Sequence, residues 1–454
     1  MVTSLANETK LLAEFAVNLN FNDLPKNVID YTKICILDLL GSIFAGSRSK
    51  PTKIIVNLIK TLGGINESTV ISYGFKTNCL FAALANGVMA HIVEMDDVHK
   101  GSIMHPGAPI IPAALAIAER EKVSGKDLIT SIVAGYEVAI RIGEAVGESH
   151  YKYWHTTGTC GTFGAAIAAG KILNLNVNEM ADALGNAGTQ ASGLWQFIRS
   201  GAMSKHLHAG KAAFNGLLSA LLAKNGFTGA KDVIEGEMGF CKATSQKYDL
   251  TKITNGLGSK FKIIEVSIKP YASCRHTHST IDAILMLKKN YNFKIDDIKS
   301  IKVRTYNSAI QIANNPNPQT PYEAKFSLQY CIAIALIKGE VGLEEFNQKL
   351  LFSSNVRNLM SKVKVESDPK LNEEYPVKWP SIVEIELVSG KTLIQKIDYP
   401  LGDPENPINY NQLISKFSSL SRKIIDNDRI NEICSLISKL EKLDDISLLT
   451  ELLI

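Results

Sequence analysis

The segment His155-Thr-Thr-Gly-Thr-Cys-Gly-Thr-Phe-Gly164 leads directly into the Ala-rich run Ala165-Ala-Ile-Ala-Ala-Gly170. Alanine favours the helix, and small residues on a helix face let a neighbouring helix approach closely. The same composition recurs in a second predicted helix, at Ala209, Ala213, Gly216, Leu217 and Ala220. These two segments predict a compact bundle of tightly packed helices.

Helical periodicity extends outward from these segments over most of the chain up to about residue 265. After Pro25, which suits the first turn of a helix, apolar residues recur at helical spacing at Val28, Tyr31, Cys35 and Leu39. Ser124 and Asp127 have the spacing of a capping box, and an apolar face follows them. We therefore expect an all-helical first part.

The pattern changes near Lys260 to short alternating segments that are typical of strands. The predicted strands are Phe261–Lys269, Ile301–Thr305, Val363–Glu366, Ser381–Val388 and Thr392–Ile397, the last two joined as a hairpin at Ser389-Gly390. Predicted helices at Ser279–Leu287 and Glu323–Lys338 lie among them. This pattern favours an antiparallel sheet with helices on one face, and Ser279 with Asp282 predicts another capping box.

Helical periodicity returns after Pro400-Leu-Gly-Asp-Pro-Glu-Asn-Pro407, which has the composition of turns. The predicted fold is mainly α: a large helical domain made of residues 1–265 and 401–454, with a smaller α+β domain, residues 266–400, inserted between them.

Composition excludes several classes of protein. The 454 residues are 45% hydrophobic and 21% charged, with 49 Lys and Arg against 45 Asp and Glu. A net charge of +4 without a dense basic run argues against nucleic acid as a partner. No apolar stretch approaches the length of a membrane span, and the N-terminal sequence lacks the pattern of a secretion signal. The seven cysteines are widely spaced, which argues against disulfides, zinc and an iron–sulfur cluster and favours a cytoplasmic protein.

All nine histidines lie between positions 91 and 278, which marks the part of the chain where proton transfer is expected. Four basic segments stand at predicted helix starts: His105 before a helix beginning at Pro112, His155 before the Gly-rich helix, Lys205 before the Ala209 helix, and His278 before Ser279. A cation at the positive end of a helix is unfavourable for stability. The arrangement makes sense if an anionic ligand is bound there.

Simpler interpretations exist for each of these features. Gly158, Gly161 and Gly164 could serve helix packing instead of forming an anion-binding turn, and their spacing is not that of a nucleotide site. Glu94, Asp96 and Asp97 could be a solvated helix end, or a metal site together with His91 and His99. We expect neither a metal nor a cofactor.

Several blocks resemble the signatures of the MmgE/PrpD family, and they occur in the family's order. The blocks are His91-Ile-Val-Glu-Met-Asp-Asp-Val-His99, His105-Pro-Gly-Ala-Pro109, Gly135–Arg141, His155–Gly164, Lys205-His-Leu-His-Ala-Gly210, Lys269-Pro-Tyr271 with Arg275-His-Thr-His278, Lys325–Tyr330 and Gly402-Asp-Pro404. The family includes 2-methylcitrate dehydratases, cis-aconitate decarboxylases and an iminodisuccinate epimerase.

The resemblance implies a helical domain, an inserted α+β lid, a homodimer, and an active site in the cleft between the domains. In the decarboxylase branch the catalytic residues fall at Glu94, Val98, His105, His155, Lys205, His278 and Tyr330 of this sequence. Glu94 stands where that branch has Asp, and Val98 where it has Thr. One residue is inserted between Glu94 and His105.

We expect a cofactor-independent lyase that acts on a di- or tricarboxylic acid, with a hydro-lyase similar to 2-methylcitrate dehydratase as the first choice. His105 and His155 would be the acid–base pair, Asp97 would orient an imidazole, and Tyr330 would donate a hydrogen bond. Lys205 would neutralise the substrate's charge. The residues predicted to contact the substrate are Arg275, Asp96, His99, His208 and Gly158. A decarboxylase or an epimerase would use the same residues, and a non-catalytic binding protein is the alternative of a different class.

Overall fold

The computed structural model describes residues 7–454, and the chain divides into two units. The first unit contains the chain up to Val266 together with Asn409–Ile454, and the second contains Ser267–Ile408. Helices account for 59% of the structure and strands for 9%, which confirms the mainly α class. Within residues 7–454, no helix is long and apolar enough to cross a membrane.

Between residues 7 and 266, the first unit contains nine helices of more than ten residues. They are α1 (Glu8–Asn18), α2 (Lys26–Gly46), α3 (Lys50–Leu62), α4 (Cys79–Ile92), α5 (Gly107–Glu121), α6 (Gly125–Tyr151), α7 (Thr156–Ile172), α8 (Val177–Gly188) and α9 (Ser204–Lys224). Single turns lie at Phe197–Ser200, Phe240–Thr244 and Thr251–Thr254, and short strands at β1 (Ser68–Val70), β2 (Phe75–Thr77) and β3 (Val98–His99). Strand β4 (Val266–Ser267) stands where the first unit ends.

Helix α7 lies at the centre of this unit and packs against α5, α6, α8 and α9. Every residue from Thr156 to Gly170 is buried, as expected for a helix that has neighbours on all sides. A Cβ on Gly164 would lie 2.7 Å from the Gly135 carbonyl oxygen of α6, and one on Gly87 of α4 would lie 2.8 Å from Gly210 Cα of α9. The glycines therefore permit the close helix crossings that the sequence predicts.

The predicted capping box at the start of α6 is present. Ser124 accepts a hydrogen bond from the Asp127 amide at 3.2 Å, and the Asp127 carboxylate accepts one from the Ser124 amide at 3.3 Å. Two other predicted helix starts were wrong. Helix α5 begins at Gly107, with Pro112 inside it, and Lys205 lies in the first turn of α9 instead of before it.

The second unit contains a four-stranded sheet and shorter helices. The strands are β5 (Ile298–Thr305), β6 (Val363–Ser367), β7 (Ser381–Leu387) and β8 (Thr392–Ile397); the helices are α10 (His278–Asn290), α11 (Asn307–Ala313), α12 (Leu328–Lys338), α13 (Ser354–Ser361) and α14 (Pro369–Glu374). Single turns lie at Pro321–Ala324 and Gln348–Leu351. The sheet order is β6-β5-β7-β8, and the predicted hairpin of β7 and β8 is confirmed.

The sheet is mixed, which corrects the antiparallel prediction. β5 pairs with β7 in antiparallel fashion, but Ile301 to Thr305 pair with Val363 to Ser367 in parallel. A parallel neighbour requires a long crossover connection, and the helices between β5 and β6 provide it. Alternate residues of β7 are buried, so one face of the sheet is covered. Helix α10 packs on β7 and β8.

Two further local predictions, a strand and a long helix, were wrong in part. Of the predicted strand Phe261–Lys269, only Val266–Ser267 is a strand, and Lys262–Glu265 is a 3-10 turn. Helix α6 holds the backbone here: Glu137 accepts from the Lys262 amide, and Arg141 donates to the Lys260 carbonyl. The helix predicted over Glu323–Lys338 is interrupted before Ser327, which caps α12.

The predicted capping box at Ser279 is absent because both of its members bond elsewhere. The Ser279 hydroxyl donates to the Trp379 carbonyl. The Asp282 carboxylate accepts from the Leu401 amide and from the Tyr271 hydroxyl.

The chain returns to the first unit as α15 (Tyr410–Ser421) and α16 (Asn427–Ser438), followed by a single turn at Ser447–Thr450. The unit boundaries lie after residues 266 and 408. The boundaries predicted from the sequence were after residues 265 and 400.

Candidate active site

The segment that follows α4 has a strained backbone and carries much of the site. Glu94 has φ +61° and Ile103 has φ +46°, both in the left-handed region that β-branched and other non-glycine residues avoid. Such conformations cost about 1–3 kcal/mol each and persist where the surroundings fix them. Asp96, Asp97 and His105 lie on or next to this strained segment.

A buried histidine–aspartate pair lies at the start of this segment. His91, in the last turn of α4, is fully buried, and its Nδ1 lies 2.6 Å from Asp96 Oδ2. Because a carboxylate accepts this bond, Nδ1 carries a proton, and in the neutral ring Nε2 has the free lone pair. Among the described residues, His91 Nε2 has no hydrogen-bond partner.

His105 stands beside this pair. Its Nδ1 lies 2.6 Å from the Asp97 carbonyl oxygen and 3.5 Å from Asp96 Oδ2, and its ring centroid lies 5.0 Å from that of His91. A carbonyl only accepts, so Nδ1 of neutral His105 is protonated and Nε2 can act as a base.

His155 completes the cluster from the N-cap position of α7. Its ring lies 5.4 Å from the His91 ring, and its Nδ1 lies 3.2 Å from His208 Nδ1 of α9. Burial, reinforced by nearby basic side chains, lowers the pKa of His155 well below its usual value and that of His208 to about 4. Both imidazoles are therefore neutral at pH 7.

Lys205 and Glu94 form a buried ion pair next to these imidazoles. The Lys205 ammonium donates to Glu94 Oε1, and both side chains are less than a tenth exposed. Lys205 also contributes to the lowered pKa of His155 and of His208, which places its charge close to both rings.

Three helices begin at this cluster: α5 two residues after His105, α7 directly after His155, and α9 one residue before Lys205. The N-terminus of a helix carries about half a positive charge, and the Gly107 amide of α5 already donates to the Asp97 carboxylate. Together with Lys205, these helix ends make the site suited to an anion. The structure thus brings together His105, His155, Lys205, Glu94, Asp96 and His208.

The side chain of Asp97 has a different role from the predicted one. Its carboxylate accepts hydrogen bonds from the Tyr136 hydroxyl at 2.7 Å and the Gly107 amide at 3.0 Å, at the start of α5. Burial raises the pKa of Asp97 to about 7. The carboxylate that orients an imidazole belongs to Asp96, which was predicted to contact the substrate. Asp97 instead contacts His105 through its main-chain oxygen.

His99 belongs to a separate group. Its Nδ1 accepts a hydrogen bond from the Ser102 amide at 3.1 Å, and its Nε2 lies 3.4 Å from Glu265 and 3.9 Å from Glu144. Lys262 bonds both of these carboxylates. Both ring nitrogens of His99 thus have polar neighbours within this group, and its predicted substrate contact stays a prediction.

Gly158 is explained by packing. Its amide donates to the His155 carbonyl at 2.8 Å, so it is not available to an anion. A Cβ on Gly158 would lie 2.7 Å from the Ser192 carbonyl oxygen and 3.2 Å from His208 Cβ. Only glycine permits this approach. The predicted substrate contact of Gly158 stays a prediction.

Arg275, His278 and Tyr330 lie in the second unit and bond within it. Arg275 pairs with Asp403 and donates to His278 Nδ1 at 2.8 Å, so its charge is already neutralised. His278 therefore carries its proton on Nε2, 3.2 Å from the Ser273 carbonyl. The buried Tyr330 hydroxyl donates to the Glu345 carbonyl at 2.6 Å. The three side chains thus have partners within the second unit, and their predicted roles in catalysis and substrate binding stay predictions.

His91 is the residue of the cluster that the sequence analysis did not select. In the sequence, His91 was named only beside the acidic residues Glu94, Asp96 and Asp97, as a possible metal ligand. The available signal was a histidine in the last turn of a predicted apolar helix with an aspartate five residues later, because the turn between them folds the two side chains together.

Within residues 7–454, two groups of side chains could hold a cation by their geometry. The ligand atoms of His91, Asp96 and His105 lie within 4.8 Å of one another, and so do those of His99, Glu144 and Glu265. In the first group, hydrogen bonds account for the close approach of His91 to Asp96. In the second, the Lys262 ammonium already bonds both carboxylates.

Comparison with known proteins identifies the family of this chain. The MmgE/PrpD N-terminal domain matches residues 10–252 and the MmgE/PrpD C-terminal domain matches residues 271–442. The chain is 29% identical to a cis-aconitate decarboxylase of Aspergillus terreus, over 98% of this chain and 95% of the relative, and 29% identical to that of Homo sapiens, over 99% and 95%. It is 21% identical to the 2-methylcitrate dehydratase of Escherichia coli strain K12, over 85% and 84%. With both domain models matched over most of its length, the chain belongs to the MmgE/PrpD family.

Proposed function

We propose that this protein is a lyase that acts on a di- or tricarboxylic acid by proton transfer at the His91, His105 and His155 cluster. The observation that supports the proposal is the convergence of imidazoles, an ammonium group and three helix N-termini in one place. Carboxylate groups fit the positive charge, and the imidazoles can exchange protons with an adjacent carbon.

Decarboxylation is the first candidate reaction. The relatives named cis-aconitate decarboxylase match more of this chain, and at higher identity, than those named 2-methylcitrate dehydratase. In such a step the C–C bond to one carboxylate breaks and CO₂ leaves. The electron pair is delocalised onto the remaining conjugated carboxylate, and an acid of the cluster then delivers one proton to carbon. Lys205 and the helix ends would stabilise the charge that develops.

Dehydration is the second candidate, and it was the first choice of the sequence analysis. The observation that favours it is Val98, which is buried and offers no hydroxyl where the decarboxylase branch has Thr. In this reaction His105 Nε2 would take the C–H proton, the C–O bond would break, and an acid would protonate the departing hydroxide to water.

A panel of acids separates these reactions. The purified protein is incubated in D₂O with cis-aconitate, 2-methylcitrate, citrate and an amino-dicarboxylate, and the products are analysed by mass spectrometry. We expect cis-aconitate to lose CO₂ and gain one deuterium. Loss of water would favour the second candidate, deuterium gain alone would indicate an epimerase, and no change in any acid would contradict the proposal.

Two variants and a chelator test the assigned groups. His155→Ala and Lys205→Ala should keep the fold and lower turnover at least roughly 100-fold, the scale of losing such a group. Lys224→Ala, at the exposed end of the same helix as Lys205, is the matched control. EDTA should leave turnover unchanged, and inhibition would instead assign a metal to His91, Asp96 and His105.

We further infer a homodimeric, cytoplasmic enzyme without a nucleic-acid partner. Support comes from the family resemblance, the near-neutral net charge and the seven cysteines, all of which are free thiols as expected in a reducing compartment. Light scattering of the purified protein would give the oligomer size.

A further inference from the structure

A lysine from the C-terminal segment reaches the strained segment of the site. Lys416, on α15, has a side chain that is 7% exposed, and its ammonium donates to the carboxylate of Asp38 on α2. The same ammonium donates to the main-chain oxygen of Met95 at 2.8 Å. All three residues belong to the first unit.

Met95 lies between the two acidic residues that bond the basic groups of the site. Glu94, with φ +61°, pairs with Lys205, and Asp96 bonds His91 Nδ1. The Met95 carbonyl and the Asp96 amide belong to one planar peptide group. A bond that fixes the Met95 oxygen therefore also fixes the position of the Asp96 amide nitrogen and Cα. A left-handed conformation at Glu94 also needs outside contacts to persist.

We propose that Lys416 is a positioning residue, which acts through the Met95 carbonyl to hold Asp96 against His91 and Glu94 against Lys205. This inference rests on the proposed lyase function of the same site. The C-terminal segment would thereby contribute to turnover without touching the substrate.

A purely structural explanation is that Lys416 serves only to neutralise Asp38, which is 1% exposed. A buried charge that loses its partner is strongly destabilising, so a single variant at either position could fail to fold. The double variant Lys416→Met with Asp38→Asn removes both charges together. It separates the two explanations because it leaves no buried charge unpaired yet still lacks the bond to Met95.

The test compares wild type, the double variant, and Arg422→Met as a control at an exposed position next to α15. We expect the double variant to keep cooperative unfolding but to lose about 10- to 100-fold in kcat, the scale of a small misplacement of catalytic groups, with KM changed by less than about 3-fold. The control should keep both constants. Wild-type kcat in the double variant would overturn the proposal.

A second measurement does not depend on any substrate. In wild type the His91 Nδ1 proton, held by Asp96, should give a downfield imidazole resonance in NMR spectra. This resonance should move upfield or disappear by exchange in the double variant and stay in Arg422→Met. An unchanged resonance in the double variant would contradict positioning. If wild type processes none of the acids, the proposed function fails, while this spectrum still decides the role of Lys416.

Discussion

The Asp97 carboxyl group is almost completely buried and accepts a hydrogen bond from the first residue of a helix. Its oxygens accept hydrogen bonds from Tyr136 and from the Gly107 amide at the start of α5, which carries the chain away from His105. Burial, together with the nearby Asp96 and Asp38 carboxylates, outweighs these bonds and raises the pKa of Asp97 to about 7. The folded protein therefore keeps a proton on Asp97 that the unfolded chain loses near pH 4.

This difference predicts a pH-dependent effect of Asp97→Asn on stability. Because the folded-state pKa is raised, the contribution of Asp97 is fully present below pH 4 and is lost as pH rises to about 7. From pH 4 to 8, wild type should lose roughly 2–4 kcal/mol of unfolding free energy relative to the variant. Urea titrations at several pH values measure this difference.

The control for this prediction is Asp127→Asn, at the exposed capping box of α6. Parallel pH profiles for wild type and Asp97→Asn would show that the Asp97 carboxyl titrates normally and would contradict the prediction.

At the scale of elements, the crossing of α6 and α7 fixes the position of His155. The two helices meet at Gly135 and Gly164, where an added Cβ on Gly164 would lie 2.7 Å from both the Gly135 carbonyl oxygen and Ala139 Cβ. Backbone atoms cannot move aside as a flexible side chain can. The helices must therefore separate if Gly164 gains a side chain.

Gly164→Ala should consequently destabilise the protein by about 1–3 kcal/mol, the usual effect of overpacking a core. The comparison is Gly41→Ala in α2, where an added Cβ would meet side-chain carbons of Leu420 and Phe417 at 3.2 and 3.3 Å. There the gain in helix propensity, about 1 kcal/mol, offsets a milder contact. Thermal unfolding of both variants measures the difference, and equal midpoints would refute the prediction.

At the scale of the whole chain, the first unit is assembled from both ends of the sequence. Lys33 of α2 pairs with Glu441, the Gly125 amide at the start of α6 donates to the Leu443 carbonyl, and the Ser72 amide donates to the Leu453 carbonyl. Helix α15 packs against α2. The last 46 residues therefore cover core surface and satisfy polar groups of the N-terminal helices.

A chain that ends at residue 408 should accordingly fail to form a stable first unit, although it keeps His91, His105, His155 and Lys205. We expect loss of the cooperative urea transition and rapid proteolysis within residues 7–266, with the full chain treated in parallel. A shortened chain that unfolds cooperatively at the same urea concentration would show that the C-terminal helices are dispensable.

Sequence patterns predicted the features that depend on local chemistry. The mainly α class follows from periodicity, the capping box at Ser124 from side-chain hydrogen bonding, and the β7–β8 hairpin from Ser389-Gly390. The family blocks predicted the set of residues that includes His105, His155, Lys205 and Glu94. Prediction failed where distant groups bond the backbone, as at Lys262–Glu265, where contacts with α6 accompany a 3-10 turn in place of most of the predicted strand.

The sequence by itself determined which types of residue this protein uses and which helices carry them, because helix propensity, capping and motif spacing act over a few residues. Only the tertiary structure decided the partners: Asp96 and not Asp97 orients His91, Arg275 is neutralised by Asp403, and Lys416 reaches Met95. A hydrogen bond depends on distances of about 3 Å between groups that lie far apart along the chain. Those distances are fixed by the packing of helices, which no local pattern contains.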